Sequence, residues 1–248
     1  MGTTFPNESA DYRFARDRLL EAEIGLRRAM EAVSQARRQL PPGGKVLEDY
    51  VFDGLDTEGQ PATIRFSELF APDKDTLIVY NMMFPRHAGD DRAGANEGET
   101  AELPRDEQPC PSCTALLDQF DGAVAHLEAA GFNFAVIAKT TPERLAALAR
   151  DRGWKNMRLV SAAQNGFNRD YHAENEDGQQ VPMVSVFQRG PDGVRHFWSS
   201  EMILVPADPG QDPRAAGTLE PLWNLMDLTP GGRPDFYEQM QYDGKAAE

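Results

Sequence analysis

The spacing of apolar residues changes along the chain, and each change marks an element. From Glu8 to Leu40, Phe14, Leu19, Leu20, Ile24, Leu26, Met30 and Val33 recur at near-helical intervals with Arg and Glu between them. Asn7 or Ser9 is placed to cap this helix, and Pro41-Pro42-Gly43-Gly44 ends it. It reads either as an extra helix packed on the edge of a domain or as an arm for dimerisation or a partner helix. Val46–Phe52 and Ala62–Phe66 read as strands, separated by the turn signals Asp53-Gly54 and Glu58-Gly59, and Ser67–Phe70 opens a short helix. Thr76–Phe84 is a continuous apolar run, the pattern of a buried strand. Thr114–Leu127 is helical in pattern, and Phe132–Ala138 is again a strand. Thr141-Pro142-Glu143 supplies an N-cap, a first-turn proline and an acidic first turn. The helix that follows has Leu145, Leu148 and Ala149 on its apolar face and ends near Gly153-Trp154. Leu159–Ser161 is a short strand, and residues 166–180 are polar and irregular. Val181–Gln188 and Val194–Ser199 form a hairpin around Pro191-Asp192-Gly193. Glu220–Leu228 is a last helix anchored by Leu222 and Trp223, and Thr229-Pro230-Gly231-Gly232-Arg233 begins a tail.

One segment breaks the pattern. Residues 86–109 are rich in Gly, Asp and Glu and poor in apolar side chains, so they read as a mobile acidic surface loop. The whole chain is acidic as well, with 40 Asp and Glu against 25 Lys and Arg and a formal charge of −15. That charge opposes binding to nucleic acid or to an anionic membrane, both of which need a cationic surface. No segment is long and apolar enough to span a bilayer. The N-terminus lacks the basic and apolar regions of a secretory signal, so the expected compartment is the cytoplasm.

The acidic loop leads into Cys110-Pro111-Ser112-Cys113, which holds the only two cysteines of the chain. A dithiol between a strand and a helix is the sequence form of a redox site. At a helix N-terminus the unpaired backbone N–H groups and the positive dipole end both favour thiolate over thiol. Cys110 holds that position. Pro111 suits the first turn because its missing N–H would have no partner there. Cys113 lies about one turn on, on the same side, where it can attack a mixed disulfide formed at Cys110. Cys110 is therefore the expected nucleophile and Cys113 the resolving residue. Half of a zinc site is the competing reading. It needs two more ligands, and His87, His126, His172 and His196 are scattered without ligand spacing. No metal and no cofactor is expected. Inert core cysteines are the other alternative, against which Pro109 and Pro111 argue for a turn. If the acidic loop folds over Cys110, its carboxylates should oppose thiolate formation.

The order strand, C-x-x-C, helix, strand, helix, strand, hairpin strand, helix resembles a thioredoxin-like fold. The expected class is therefore α/β, a central mixed sheet flanked by helices, with an added N-terminal helix and strand pair. The expected domains are an extension over residues 1–45, a thioredoxin-like domain over 46–230 with the insertion 86–109, and a tail over 231–248. The chain also resembles the bacterial thioredoxin-like proteins called domain of unknown function 899. The likeness is carried by Ala36-Arg37-Arg38-Gln39-Leu40-Pro41, Asp49-Tyr50-Val51-Phe52, Leu77–Phe84, Cys110-Pro111-Ser112-Cys113, Gly166–Tyr171, Val184–Phe187 and Leu225–Arg233. It spans about Ala15 to Asp243. It implies a dithiol activity and assigns no substrate. The thioredoxin likeness further implies a cis-proline at Val181-Pro182 facing the dithiol, with Pro111, Ser112, Val181 and Pro182 shaping a substrate groove. Pro109 stands where thioredoxins carry an aromatic, and the loop before Cys110 is longer and more acidic than in the family pattern.

The leading expectation is a thiol–disulfide oxidoreductase acting on a disulfide-containing protein or a small thiol compound, with electrons from an external donor. A thiol peroxidase is the second reading. Asp106 and Glu107 occupy the region where such enzymes carry a threonine one turn before the nucleophile. A non-catalytic binding protein that assembles through its N-terminal helix is the third, and a homodimer fits any of them.

Overall fold

The long N-terminal helix forms where its periodicity places it. In the computed structural model, which describes residues 3–56 and 58–242, α1 runs Ala10–Arg38. Of the two expected caps it is Ser9 that acts, accepting a hydrogen bond from the Tyr12 N–H at 3.1 Å. Asp11 in the first turn and Arg37 and Arg38 in the last complement the helix dipole. No residue of α1 is buried. The chain divides into two units, Met1–Gly43, which contains α1, and Gly44–Glu248.

The second unit is built on a seven-stranded mixed sheet of order β2-β1-β5-β4-β3-β6-β7. The strands are β1 Val51–Leu55, β2 Pro61–Arg65, β3 Thr76–Met82, β4 Phe132–Ala138, β5 Arg158–Ser161, β6 Met183–Gly190 and β7 Gly193–Ser199. β3 and β4 are parallel, in register from Thr76 opposite Phe132 to Met82 opposite Ala138, and α2 (Pro111–Ala129) connects them. β4 and β5 are also parallel, joined through α3 (Pro142–Arg152). β6 pairs antiparallel with β3 and forms the expected hairpin with β7. This is the thioredoxin-like α/β arrangement the sequence order implies, and the β1–β2 pair extends the sheet beyond β5.

The run Thr76–Met82 is almost wholly apolar because both faces of its strand are covered. On one face Tyr80 and Met82 pack with Phe134, Val136, Leu116, Leu117, Leu145 and Leu148. On the other, Leu77 and Val79 pack with Phe52, Phe66, Phe167 and Phe187. Several rings in this second layer meet edge to face, including Phe66 on Phe187 at 5.0 Å and Tyr50 on Phe167 at 5.2 Å. Phe167 and the buried Asn168 belong to α4 (Phe167–Asp170), a single turn within the stretch expected to be irregular. Asn168 is held by the Asn81 amide of β3, which donates to its side-chain oxygen at 2.9 Å.

Two sequence expectations shift. The strand expected over Val46–Phe52 is two pieces. Val46 donates to the Val194 carbonyl of β7 at 2.9 Å, whereas β1 begins at Val51 and pairs with β2. The last helix, α5 (Pro221–Asp227), has no buried residue, so Leu222 and Trp223 are half-buried rather than core anchors. Trp223 meets Phe236 at 6.1 Å and lies under the Arg233 guanidinium at 5.4 Å. The segment beyond 230 accordingly carries buried side chains, among them Glu238 and Met240.

Candidate active site

The two sulfurs are placed where β3 ends and α2 begins. Cys110 is the N-cap of α2, with extended backbone (φ −66°, ψ 127°), and Pro111 is the first helical residue. The Cys110 N–H donates to the Met83 carbonyl at 3.0 Å. The Met83 N–H points back at Cys113 Sγ, 3.5 Å away. One residue beyond the strand thus fixes both ends of the C-x-x-C turn. Both cysteines are free thiols, exposed by only 1% and 2%.

The loop 86–109, expected as a mobile acidic surface segment, contains buried residues and is tied down by hydrogen bonds. Three anchors hold it. Arg86, 4% exposed, bonds with its guanidinium to the carbonyls of Arg92 (2.7 Å) and Pro109 (3.4 Å), while its N–H reaches Gln108. Gln108, also buried, accepts from the Ala95 N–H and donates to the Leu103 carbonyl. Asp151 on α3 accepts from the Glu99 and Thr100 amides and from the Thr100 hydroxyl, at 2.6–2.8 Å. These side-chain-to-backbone bonds replace the apolar burial the segment lacks.

The same loop inverts the expected electrostatics. The side chain it brings to Cys110 is a cation, with Arg92 Nη2 3.8 Å from Sγ. Arg92 is oriented by Asp90, at 2.7 Å, and also donates to Ser112 Oγ (2.7 Å) and the Glu238 carbonyl (3.1 Å). Burial raises the Asp90 carboxyl, but its bonds to Arg92 more than offset this, so its pKa falls below the ordinary value. The Cys110 pKa is lowered to about 7. The largest cause is the hydrogen bond donated by the Cys113 thiol. Burial works against it, and the Cys113 and Ser112 backbone amides and the Arg92 charge add to it. Cys113 moves the other way. Its bond to Cys110 and its burial both push its pKa well up, although the Tyr80 hydroxyl donates to it. Burial and the two sulfurs likewise push Tyr80 up. At neutral pH one sulfur is therefore a partial thiolate and the other a thiol that bonds to it.

A cavity of about 180 Å³ opens onto both sulfurs. Its walls include Tyr80, Arg92, Pro182, Val184, Ile203 and Glu220. A second cavity, of about 260 Å³, shares Ser112, Ala215, Ala216 and Glu220 with it and continues to Arg233, Tyr237 and Glu238. Ser112 is the link between them, since its hydroxyl donates to Glu238 Oε2 at 2.9 Å and accepts from Arg92. Burial, and then the Glu238 charge, raise the Glu220 carboxyl above the ordinary range. Ile203, Ala215, Ala216 and Glu220 thus wall the dithiol cavity, and Glu238 is tied to its rim through Ser112 and Arg92. Among the described residues, no group of three or more His, Cys, Asp or Glu side chains is spaced to hold a metal ion. No described helix is long and apolar enough to cross a membrane.

The model of a bacterial protein family of unknown function, DUF899, matches residues 2–245. The chain belongs to that family. No curated protein matches it. Solved structures similar to this DUF899 chain include a hypothetical protein of Sinorhizobium meliloti, 16% identical, with a TM-score of 0.40 over 72% of this chain and 80% of that one. Enterococcus faecalis AhpC is 12% identical, with a TM-score of 0.45 over 71% and 86%. Reduced Prx3 of Vibrio vulnificus, solved with hydrogen peroxide, is 13% identical, with a TM-score of 0.43 over 70% and 92%.

The structure of this DUF899 member brings together Cys110, Cys113, Ser112 and Pro182 around one cavity. Pro111 is buried in the first turn of α2, and Val181 does not line the cavity, where Val184 stands instead. The expected cis bond at Val181–Pro182 is corrected. The cis bond among the described residues is Phe84–Pro85. The Val181 N–H donates to the Ala173 carbonyl at 2.9 Å, two residues before β6 begins at Met183. His87, at the strand end, bonds Gln179 and not the sulfurs. Sequence reasoning missed Arg92, Tyr80, Glu220 and Glu238. Arg92 carried a local signal, because Asp90-x-Arg92 is the spacing at which a carboxylate can orient a guanidinium. The Arg92 N–H and Nε both donate to Asp90 Oδ1. Glu220 and Glu238 are brought in over more than a hundred residues and left no such signal.

Proposed function

We propose that the protein is a dithiol redox enzyme, a thiol–disulfide oxidoreductase for low-molecular-weight disulfides, with Cys110 as nucleophile and Cys113 as resolving thiol. The observation that carries the reading is the asymmetry of the pair. Cys110 is lowered to about 7 while Cys113, bonded to it, is raised. The nearly complete burial of both sulfurs favours a small substrate over a folded protein.

The Cys110 thiolate attacks one sulfur of R–S–S–R, forming a protein mixed disulfide and expelling RS⁻. Loss of the Cys110 negative charge removes what holds the proton on Cys113. Cys113 then ionises, attacks Cys110 Sγ, closes the Cys110–Cys113 disulfide and expels the second RS⁻. With two protons taken up by the leaving thiolates, the substrate gains two electrons and the protein loses two. An external dithiol donor restores the starting state. Arg92 and the α2 amides hold the attacking thiolate, Ser112 keeps Arg92 in place, and Pro182 is part of the cavity wall. No cofactor enters these steps, and we place the protein in the cytoplasm, where a reduced dithiol is maintained.

A thiol peroxidase is the second reading, favoured by the cation beside a thiolate in an enclosed cavity. There Cys110–S⁻ and ROOH, with one proton, give Cys110–SOH and ROH. Cys113–SH then condenses with the sulfenic acid to give the same disulfide and water. Turnover is measured with a small disulfide and with a hydroperoxide, each with a dithiol donor, for wild type and Cys110→Ser. Disulfide turnover that needs Cys110 supports the first reading, and hydroperoxide turnover alone selects the second. Absence of Cys110-dependent turnover on either substrate refutes both.

A further inference from the structure

The N-terminal unit carries a surface that the redox site does not use. Along α1, Tyr12, Leu19, Leu26 and Val33 recur at intervals of seven, and all four are exposed, by 47–61%. Ala15, Ala22, Ala29 and Ala36 stand three residues after each of them. Labelled as heptads, the large residues are a positions and the alanines d positions, unbroken over four heptads. A repeat of 3.5 residues keeps its seam straight only against another supercoiled helix. Against a globular surface, an α-helix of 3.6 residues per turn would carry such a stripe about 20° aside per heptad. Four heptads is the run length at which an a/d pattern points to a coiled coil.

The charges beside the seam select the partner. Positions g and e hold Asp11 with Arg16, then Arg18 with Glu23. In a parallel, in-register pair of copies each g residue faces the e residue five positions on in the other chain. Asp11 then meets Arg16 and Arg18 meets Glu23, opposite signs in both cases. The following g–e pairs, Gly25 with Met30 and Ala32 with Arg37, bring no like charges together. A centred antiparallel pair would set Glu23 against Glu23 of the second copy. We propose that α1 is a dimerisation arm that forms a parallel two-stranded coiled coil with α1 of a second copy of this chain.

The test measures the mass of the full-length protein in solution by light scattering and sedimentation. The wild type is expected at twice 27.5 kDa, and Leu19→Glu/Leu26→Glu at the monomer mass with its far-ultraviolet spectrum retained. Arg18→Glu should weaken the dimer roughly tenfold, and adding Glu23→Arg should restore it, since the swap exchanges the signs of one g–e pair. The direction of pairing is read by oxidative cross-linking in a Cys110→Ser/Cys113→Ser background. Leu19→Cys should join to itself as a covalent dimer. A monomeric wild type overturns the proposal. So does a dimer that survives the seam substitutions, or a cross-link that forms only when Leu19→Cys and Ala29→Cys chains are mixed.

Discussion

Replacing Arg92 by glutamine isolates the feature that most distinguishes this site from the acidic one its sequence suggests. The guanidinium lies 3.8 Å from Cys110 Sγ. Two unit charges at that distance interact by about 4 kcal/mol at an effective dielectric constant of ~20. Asp90 acts on Cys110 in wild type and variant alike, whereas solvent at the guanidinium, 23% exposed, screens the Arg92 attraction further. A net effect of about 1.4 kcal/mol, roughly one pKa unit, is what remains. Cys110 should therefore rise from about 7 by about one unit in Arg92→Gln, and the thiolate fraction at neutral pH should fall roughly fivefold. The second-order rate with a small disulfide or a haloacetamide should fall by a similar factor at pH 7 and recover above pH 9. The assay is the pH dependence of thiolate ultraviolet absorbance together with that rate. Because Cys113 is pushed up, only Cys110 titrates through the neutral range. An unchanged Cys110 pKa in Arg92→Gln would refute the electrostatic role and leave Arg92 as a tie to Ser112 and the Glu238 carbonyl.

Other perturbations have defined outcomes. Because the folded Cys110 pKa is depressed, its thiolate adds stability that is absent below about pH 7 and develops up to the ordinary thiol value near 9. Reduced wild type should therefore gain about 2–3 kcal/mol over that window relative to Cys110→Ser, measured by denaturant unfolding at several pH values. Asp151→Ala strips three donors in the loop 86–109 of their acceptor and should cost about 2–3 kcal/mol and speed hydrogen exchange at Glu99 and Thr100. Gly98→Ala should act on the same anchor, because Gly98 has φ +85° and an added Cβ would run into the Asp151 carboxylate. A loss under about 1 kcal/mol would show that the loop yields there. Glu238→Ala removes the acceptor of the Ser112 hydroxyl and should speed labelling of Cys110 by a bulky maleimide more than by a small haloacetamide. An equal effect on the two reagents would mean that the Ser112–Glu238 tie does not gate access.

The parts of this protein legible in the sequence are those set by local chemistry. β3 and β4 are long apolar runs, α3 has its threonine cap, proline and acidic first turn, and the C-x-x-C turn has Pro111 where a helix begins. Each needs only its own neighbours. The errors lie where distant residues decide. The loop 86–109 looked too polar to be ordered, yet Asp151 and two of its own buried residues, Arg86 and Gln108, satisfy its backbone. Counting charges in that loop predicted a field hostile to a thiolate, whereas the side chain that reaches Cys110 is Arg92. The tie from Glu238 to the cavity rim escaped notice because the segment after Thr229 reads as a tail, and nothing local announces that Glu238 will meet Ser112.

The most direct test of the assigned roles is a trapping measurement on two single-cysteine variants. Each is mixed with the same low-molecular-weight disulfide near pH 7, and intact mass and peptide mapping report the adduct. Cys113→Ser is expected to accumulate a mixed disulfide on Cys110, since the nucleophile is present and nothing resolves it. Cys110→Ser removes the Cys110 bond and charge that raise Cys113, but Cys113 stays buried and desolvated, so it is expected to stay unmodified over the same time. Equal modification of the two variants, or modification of Cys113 in preference to Cys110, would contradict the account.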